Sequence, residues 1–173
     1  MKFYSGFYLQ NEQCFFAHLM QESDFNIYGF SYGAIKAYEE VKMRLKAYER
    51  VDKLVLFSPA FFQTKTEAFG KLQLRSFKRD PQSYVKNFLT SCFAPYERQE
   101  VQTKEDTLDD LEKLLHFEWS SDELLWLQEQ GVVIEVYLGG KDRIIDAHGA
   151  YEFFKDVSDV TFIKEANHFL QGE

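Results

Sequence analysis

The chain has 173 residues, 45% hydrophobic and 17% aromatic, which is enough for one continuous core and too apolar for a disordered chain. Its 28 acids against 20 bases leave a formal net charge of −8, which argues against a general nucleic-acid binder. Cys14 and Cys92 stand far apart with no CxxC or Cys/His spacing, so neither a disulfide framework nor a zinc site is expected.

Residues 2–4 are short and β-prone, and Ser5-Gly6 breaks them. The opening stretch has no long apolar run of the signal-peptide kind. From Asn11, a possible N-cap, the spacing of Phe15, Phe16, Leu19 and Met20 predicts an amphipathic helix. Residues 25–28 read as a short strand. Residues 31–50, rich in Ala, Lys, Glu, Leu and Met, read as a helix. KLVLF at 53–57 is a buried-strand run that ends at Ser58-Pro59.

Residues 60–128 contain no convincing strand. Helical spacing recurs around Phe69, Leu72 and Phe77, and again around Tyr84, Phe88 and Leu89 after Asp80-Pro81. Leu108, Leu111, Leu114 and Leu115 mark another helix, and Leu124, Leu125 and Leu127 a further one. The strand signal returns at 132–138, before Gly139-Gly140. Asp146 is placed to cap a helix reaching Lys155, and 160–163 is a last strand. Strands thus alternate with helices at both ends of the chain, which predicts a mostly parallel sheet with right-handed crossovers. No stretch approaches the roughly 18 apolar residues of a spanning helix, so a cytoplasmic protein with no membrane partner is expected.

Ligands gather at the carboxyl ends of parallel strands. Three such ends carry GFSYG at 29–33, GGKD at 139–142 and ANHF at 166–169, offering a serine, an aspartate and a histidine in that order. A serine hydroxyl attacks only when a base takes its proton, histidine titrates near neutrality, and a carboxylate behind it fixes the tautomer. Gly29 and Gly33 permit a tight strand-to-helix turn from which Ser31 projects, with the N–H of Tyr32 aimed at a developing oxyanion. Asp146 is a rival acid, although a helix cap suits it better. His18, His116 and His148 fall in predicted helices or their entries and read as structural.

These features resemble the α/β-hydrolases, whose nucleophile elbow is G-x-S-x-G and whose triad runs Ser, Asp, His. By position the resemblance implies Ser31 as nucleophile, Asp142 as acid and His168 as base. LGGKDRII is similar to the family's G-x-x-D-x-I/V segment, with Asp146 where proline is common. ANHFL is similar to its G-H-hydrophobic segment, with Asn167 where glycine is usual. Ser5-Gly6-Phe7 stands where the family often has His-Gly-aromatic, which implies Phe7 as the second oxyanion donor beside Tyr32. The implied fold is a reduced α/β-hydrolase of about five strands, with helices on both faces. Residues 1–59 and 129–173 would form the core and 60–128 a helical lid. Gly6 and Ser31 are too close in sequence for the family's usual intervening strand and helix, so that unit is missing, as are two leading strands.

Residues 64–90 carry six bases and two acids, whereas the rest of the chain has 14 bases and 26 acids. A basic lid on an acidic body suits an acidic partner. Phe61, Phe62, Phe69, Phe77 and Phe88 are candidates to line an apolar tunnel. Within the superfamily, KFYSGFYLQNEQ and GFSYGA are similar to pimeloyl-acyl-carrier-protein methyl ester esterases of biotin synthesis. That resemblance implies an acidic acyl carrier protein as partner, met by Lys71, Arg75, Lys78 and Arg79, and no metal or organic cofactor. The same constellation also serves a short-chain carboxylesterase or an acyl thioesterase, and a non-catalytic hydrolase-fold binding protein is a further alternative.

Overall fold

A computed structural model describes residues 1–172 of the chain. Five strands, β1 (Lys2–Tyr4), β2 (Asn26–Phe30), β3 (Lys53–Phe57), β4 (Val133–Gly139) and β5 (Asp159–Ile163), form one sheet in the spatial order 1-2-3-4-5. Every neighbouring pair is parallel. Six α-helices connect them: α1 (Tyr32–Lys46), α2 (Glu67–Arg79), α3 (Pro81–Phe93), α4 (Leu108–His116), α5 (Ser121–Glu129) and α6 (Ala147–Phe154). The arrangement is a small α/β-hydrolase fold. None of the described helices is long and apolar enough to cross a membrane.

Strand alternation divides the core in two. Ile27, Leu54, Leu56, Ile134 and Val136 face a cluster that includes residues of α1, α5 and α6. Tyr28, Phe30, Val55 and Phe57 face the other side, where Phe16, the C-terminal end of α3 and Phe169 cover them. Helical segments therefore lie on both faces, but unequally. The second face has no α-helical crossover of its own.

The segment expected as an amphipathic α-helix from Asn11 is instead a 3-10 helix over Glu12–Leu19. Asn11 does not cap it through its side chain; the residue has φ 60°, and its Nδ2 donates to Gln102 Oε1 at 2.6 Å. Eight residues reach about 16 Å as a 3-10 helix against about 12 Å as an α-helix. This connection and α1 each advance one strand in the same direction, but over opposite faces. They have opposite hands, so one departs from the expected right-handed crossover. That expectation rests on packing a full helix against a twisted sheet, which the β1–β2 connection lacks.

The inserted helices obey local rules. Thr66, Asp80, Thr107 and Ser120 each accept a hydrogen bond from a first-turn N–H. Pro81 occupies the first helical position of α3. Within 60–128, α5 behaves unlike a lid helix. Leu124 and Leu127 are fully buried, Tyr38 of α1 donates to Glu123, and Trp119 Nε1 donates to the Ala60 carbonyl at 2.9 Å.

Phe16 is the keystone of the thinner face. It stacks on Phe57 with centroids 4.5 Å apart and lies 4.9 Å from Phe30. Replacing it by alanine is expected to lower stability by about 3–5 kcal/mol, read as the shift of the urea unfolding midpoint at constant slope.

Candidate active site

β2 stays on the sheet up to Ser31, whose N–H donates to the Phe57 carbonyl at 2.9 Å. The chain then turns into α1, and Ser31 is held at φ 54°, ψ −117°, a conformation a non-glycine residue rarely adopts. The flanking glycines have steric causes. A Cβ on Gly29 would lie 2.4 Å from the Gly33 carbonyl oxygen, and one on Gly33 would lie 2.0 Å from the Tyr4 carbonyl oxygen. β1 thus ends directly against the turn that carries the serine.

The loops after β4 and β5 are bonded to each other. Gly140 N–H donates to the Ile163 carbonyl at 2.9 Å, and Lys141 N–H to the Ala166 carbonyl at 2.8 Å. A Cβ on Gly139 would come within 2.3 Å of the Asn167 carbonyl oxygen, and one on Gly140 within 2.3 Å of that of Lys164. One oxygen of Asp142 accepts from the N–H groups of Ile144 at 2.7 Å and Ile145 at 3.1 Å, which fixes the carboxylate and leaves the other oxygen free for a partner.

That partner is His168. Its Nδ1 lies 2.6 Å from Asp142 Oδ2, and its Nε2 lies 3.0 Å from Ser31 Oγ. The carboxylate accepts from Nδ1–H, so Nε2 is left as the acceptor for the serine hydroxyl. The side chains of His168 and Asp142 are wholly buried, and Ser31 is 4% exposed. The Phe30 ring sits 4.9 Å from the imidazole. Asn167, where a glycine was expected by resemblance, has its own work: its Nδ2 donates to the Phe93 carbonyl at 2.8 Å, and its Oδ1 accepts from Gln171 N–H at 3.0 Å. Asp146 stands apart from His168. It caps α6 through Gly149 N–H at 3.0 Å and accepts from Thr64 Oγ1 at 2.7 Å, and the Gly149 bond holds its carboxyl below the usual range. His18, His116 and His148 are exposed on the surface.

Ser31 opens into a cavity of about 780 Å³ between the sheet and α2–α4. Phe7, Phe62, Phe69 and Phe88 line it, whereas Phe61 and Phe77 are buried in the adjoining core. Tyr84, on the cavity wall, has its phenol pushed up to about 12 by burial. Arg79, Lys65 and Arg143 reach the same cavity. Lys71, Arg75 and Lys78 do not line it. They are exposed on α2, where positions 71, 75, 78 and 79 share one helical stripe, and Lys71 pairs with Glu67 at 2.6 Å.

Phe7 and Tyr32 flank the serine from two elements, and neither backbone N–H has a partner among the described residues. The Tyr32 side chain is anchored, its hydroxyl donating to Asp110 at 3.0 Å, and burial pushes its phenol well up. Two further carboxylates escaped the sequence reading. Glu12 accepts from Gly6 N–H and Asp106 from Tyr8 N–H, each at 2.7 Å. No spacing rule points to them, because their partners are loop amides brought near by folding.

No protein-family profile matches the chain, and no curated protein sequence matches it. Solved structures do. A bromoperoxidase from Bacillus anthracis superposes with a TM-score of 0.61 at 13% identity, over 91% of this chain and 64% of that one. Carboxylesterase CesB from Bacillus subtilis gives 0.55 at 15% identity, over 89% and 56%. BioG from Haemophilus influenzae gives 0.50 at 11% identity, over 98% and 88%. The likeness is one of fold, and the chain spans little more than half the length of CesB.

Gly33→Ala is expected to unfold the elbow locally, with a loss of at least about 2 kcal/mol because the Tyr4 carbonyl is backbone and has to shift. Chemical denaturation of the variant beside the wild type measures it.

Proposed function

We propose that the chain is a serine carboxylesterase that hydrolyses the methyl ester of pimeloyl-acyl-carrier protein, releasing methanol, in biotin synthesis. The observation that carries the esterase reading is His168, buried and within hydrogen-bond reach of both Ser31 Oγ and Asp142. The same fold also underlies a bromoperoxidase, so the argument rests on the site and not on the architecture.

In this reading His168 Nε2 takes the Ser31 proton as Oγ attacks the ester carbonyl. The N–H groups of Phe7 and Tyr32 hold the oxyanion, and α1 presents its N-terminal end to the same charge. Asp142 stabilises the imidazolium and keeps its tautomer. Methanol leaves with the proton from His168. Water, deprotonated by the same nitrogen, then releases the acid and restores Ser31.

The substrate reading rests on three supports. The segments KFYSGFYLQNEQ and GFSYGA resemble those of the pimeloyl-carrier esterases. BioG, unlike the other two structures named above, is matched over nearly its whole length. The cavity at Ser31 has an aromatic wall of Phe7, Phe62, Phe69 and Phe88 beside polar residues, and opens beside Arg79 at the end of the basic stripe of α2. An acyl chain would occupy the apolar wall, while Lys71, Arg75, Lys78 and Arg79 meet the acidic carrier outside.

Incubation with methyl pimeloyl-carrier protein should remove about 14 mass units (one CH₂) from the acyl group, and Ser31→Ala should remove none. Asp142→Asn should keep the fold and lower kcat by about 10⁴-fold, measured by steady-state kinetics. The double variant Arg75→Glu/Lys78→Glu should weaken turnover of the carrier-bound ester about tenfold or more at low salt and leave a free methyl ester unaffected. Equal turnover of free and carrier-bound esters by the wild type would instead make it a general carboxylesterase.

A further inference from the structure

The loop that offers the Phe7 N–H has no regular secondary structure to hold it. β1 ends at Tyr4, and residues 5–9 run free of the sheet until the 3-10 helix begins. An oxyanion donor stabilises a transition state only if it is aimed beforehand. Two buried carboxylates supply the aim, one on each side of Phe7. Glu12, 2% exposed, accepts from the N–H of Gly6 at 2.7 Å. Asp106, with its side chain 8% exposed, accepts from the N–H of Tyr8 at 2.7 Å. The two amides flanking Phe7 are therefore tied, and the amide between them is left unpaired.

These carboxylates come from opposite directions. Glu12 opens the 3-10 helix on the sheet side. Asp106 belongs to the connection between α3 and α4, and that connection is joined to the loop again by Gln10 N–H, which donates to the Gln102 carbonyl at 3.0 Å. Four residues on, Asp110 accepts from the Tyr32 hydroxyl. The 102–110 stretch thus contacts the loop of one donor and the side chain of the other.

Glu12 is costly to keep. Its second oxygen is buried with no hydrogen-bond partner among the described residues, and burial pushes its carboxyl up. A leucine would remove that unpaired oxygen but would leave the Gly6 N–H without its acceptor.

We infer that Glu12 and Asp106 are positioning residues that clamp the Gly6 and Tyr8 amides so that the Phe7 N–H is held ready for the oxyanion. Neither touches the substrate. The inference rests on the reading of Ser31 as nucleophile.

The test is steady-state hydrolysis of a soluble methyl ester by the full chain. Glu12→Leu should lower kcat by about 10–100-fold and leave KM within about twofold, because the donor acts in the transition state and not in binding. Glu12→Gln, which keeps an acceptor oxygen, should recover most of the loss. Asp106→Ala should fall by a similar factor, with Asp106→Asn as its rescue. The double variant Glu12→Leu/Asp106→Ala should lose less than the product of the two single losses, because both act through one amide. Near-ultraviolet circular dichroism establishes that each variant is folded; should Glu12→Leu not fold, the Asp106 pair decides. A folded Glu12→Leu or Asp106→Ala with normal kcat overturns the inference. So does a loss carried entirely by KM, or amide variants as impaired as the apolar ones. A wild type that turns over no ester overturns the reading of Ser31 and this inference with it, whereas an active wild type with unaffected variants overturns the inference alone.

Discussion

The end of β1 lies so close to the start of α1 that Gly33 has no room for a side chain: the Tyr4 carbonyl oxygen stands where a Cβ would be. That approach is the constraint on which the site depends. It sets the first loop beside the turn that carries Ser31, where the backbone takes a positive φ. Local strain of this kind persists only when surrounding packing over-determines it. Here the Ser31 N–H bonded to β3 and the Ser31 carbonyl accepting from both Ala34 and Ala60 do so.

The same economy appears at the other two loops. The pair Gly139-Gly140 allows the turns after β4 and β5 to touch backbone to backbone, and the hydrogen bonds between those turns hold Asp142 and His168 in place relative to each other. Asp142 and His168 follow the adjacent strands β4 and β5, Ser31 follows β2 on the far side of β3, and the three side chains meet across the end of β3. The first loop and the turn at Ser31 are joined through a 3-10 helix and not through a further strand. The thinner face that results is held by aromatic stacking around Phe16 and not by a helix layer.

Much of this was legible from residue patterns, for physical reasons. KLVLF reads as a buried strand because both its faces are covered, and 53–57 is the strand observed. Asp80-Pro81 reads as a helix start because proline lacks an N–H that the first turn does not use. The 3-10 helix was not legible, because apolar spacing alone does not separate it from an α-helix. Nor was the partition of the phenylalanines. Nothing in the local sequence separates Phe61 and Phe77 from Phe62 and Phe88, and only packing decides that the latter two line the cavity.

The sequence by itself determined the alternation of strands and helices, the serine, aspartate and histidine at three strand ends, and the basic stripe on α2. All of these depend on neighbours along the chain or on fixed helical and strand periods. Tertiary structure set the distances by which Asp142 faces His168 while Asp146 caps α6, the roles that the sequence had favoured for each. It also decided that Glu12 and Asp106 close on either side of Phe7. Asp106 reaches a backbone amide nearly a hundred positions away, and Glu12 reaches back six positions to an amide of an irregular loop, so no helical or strand period marks either contact.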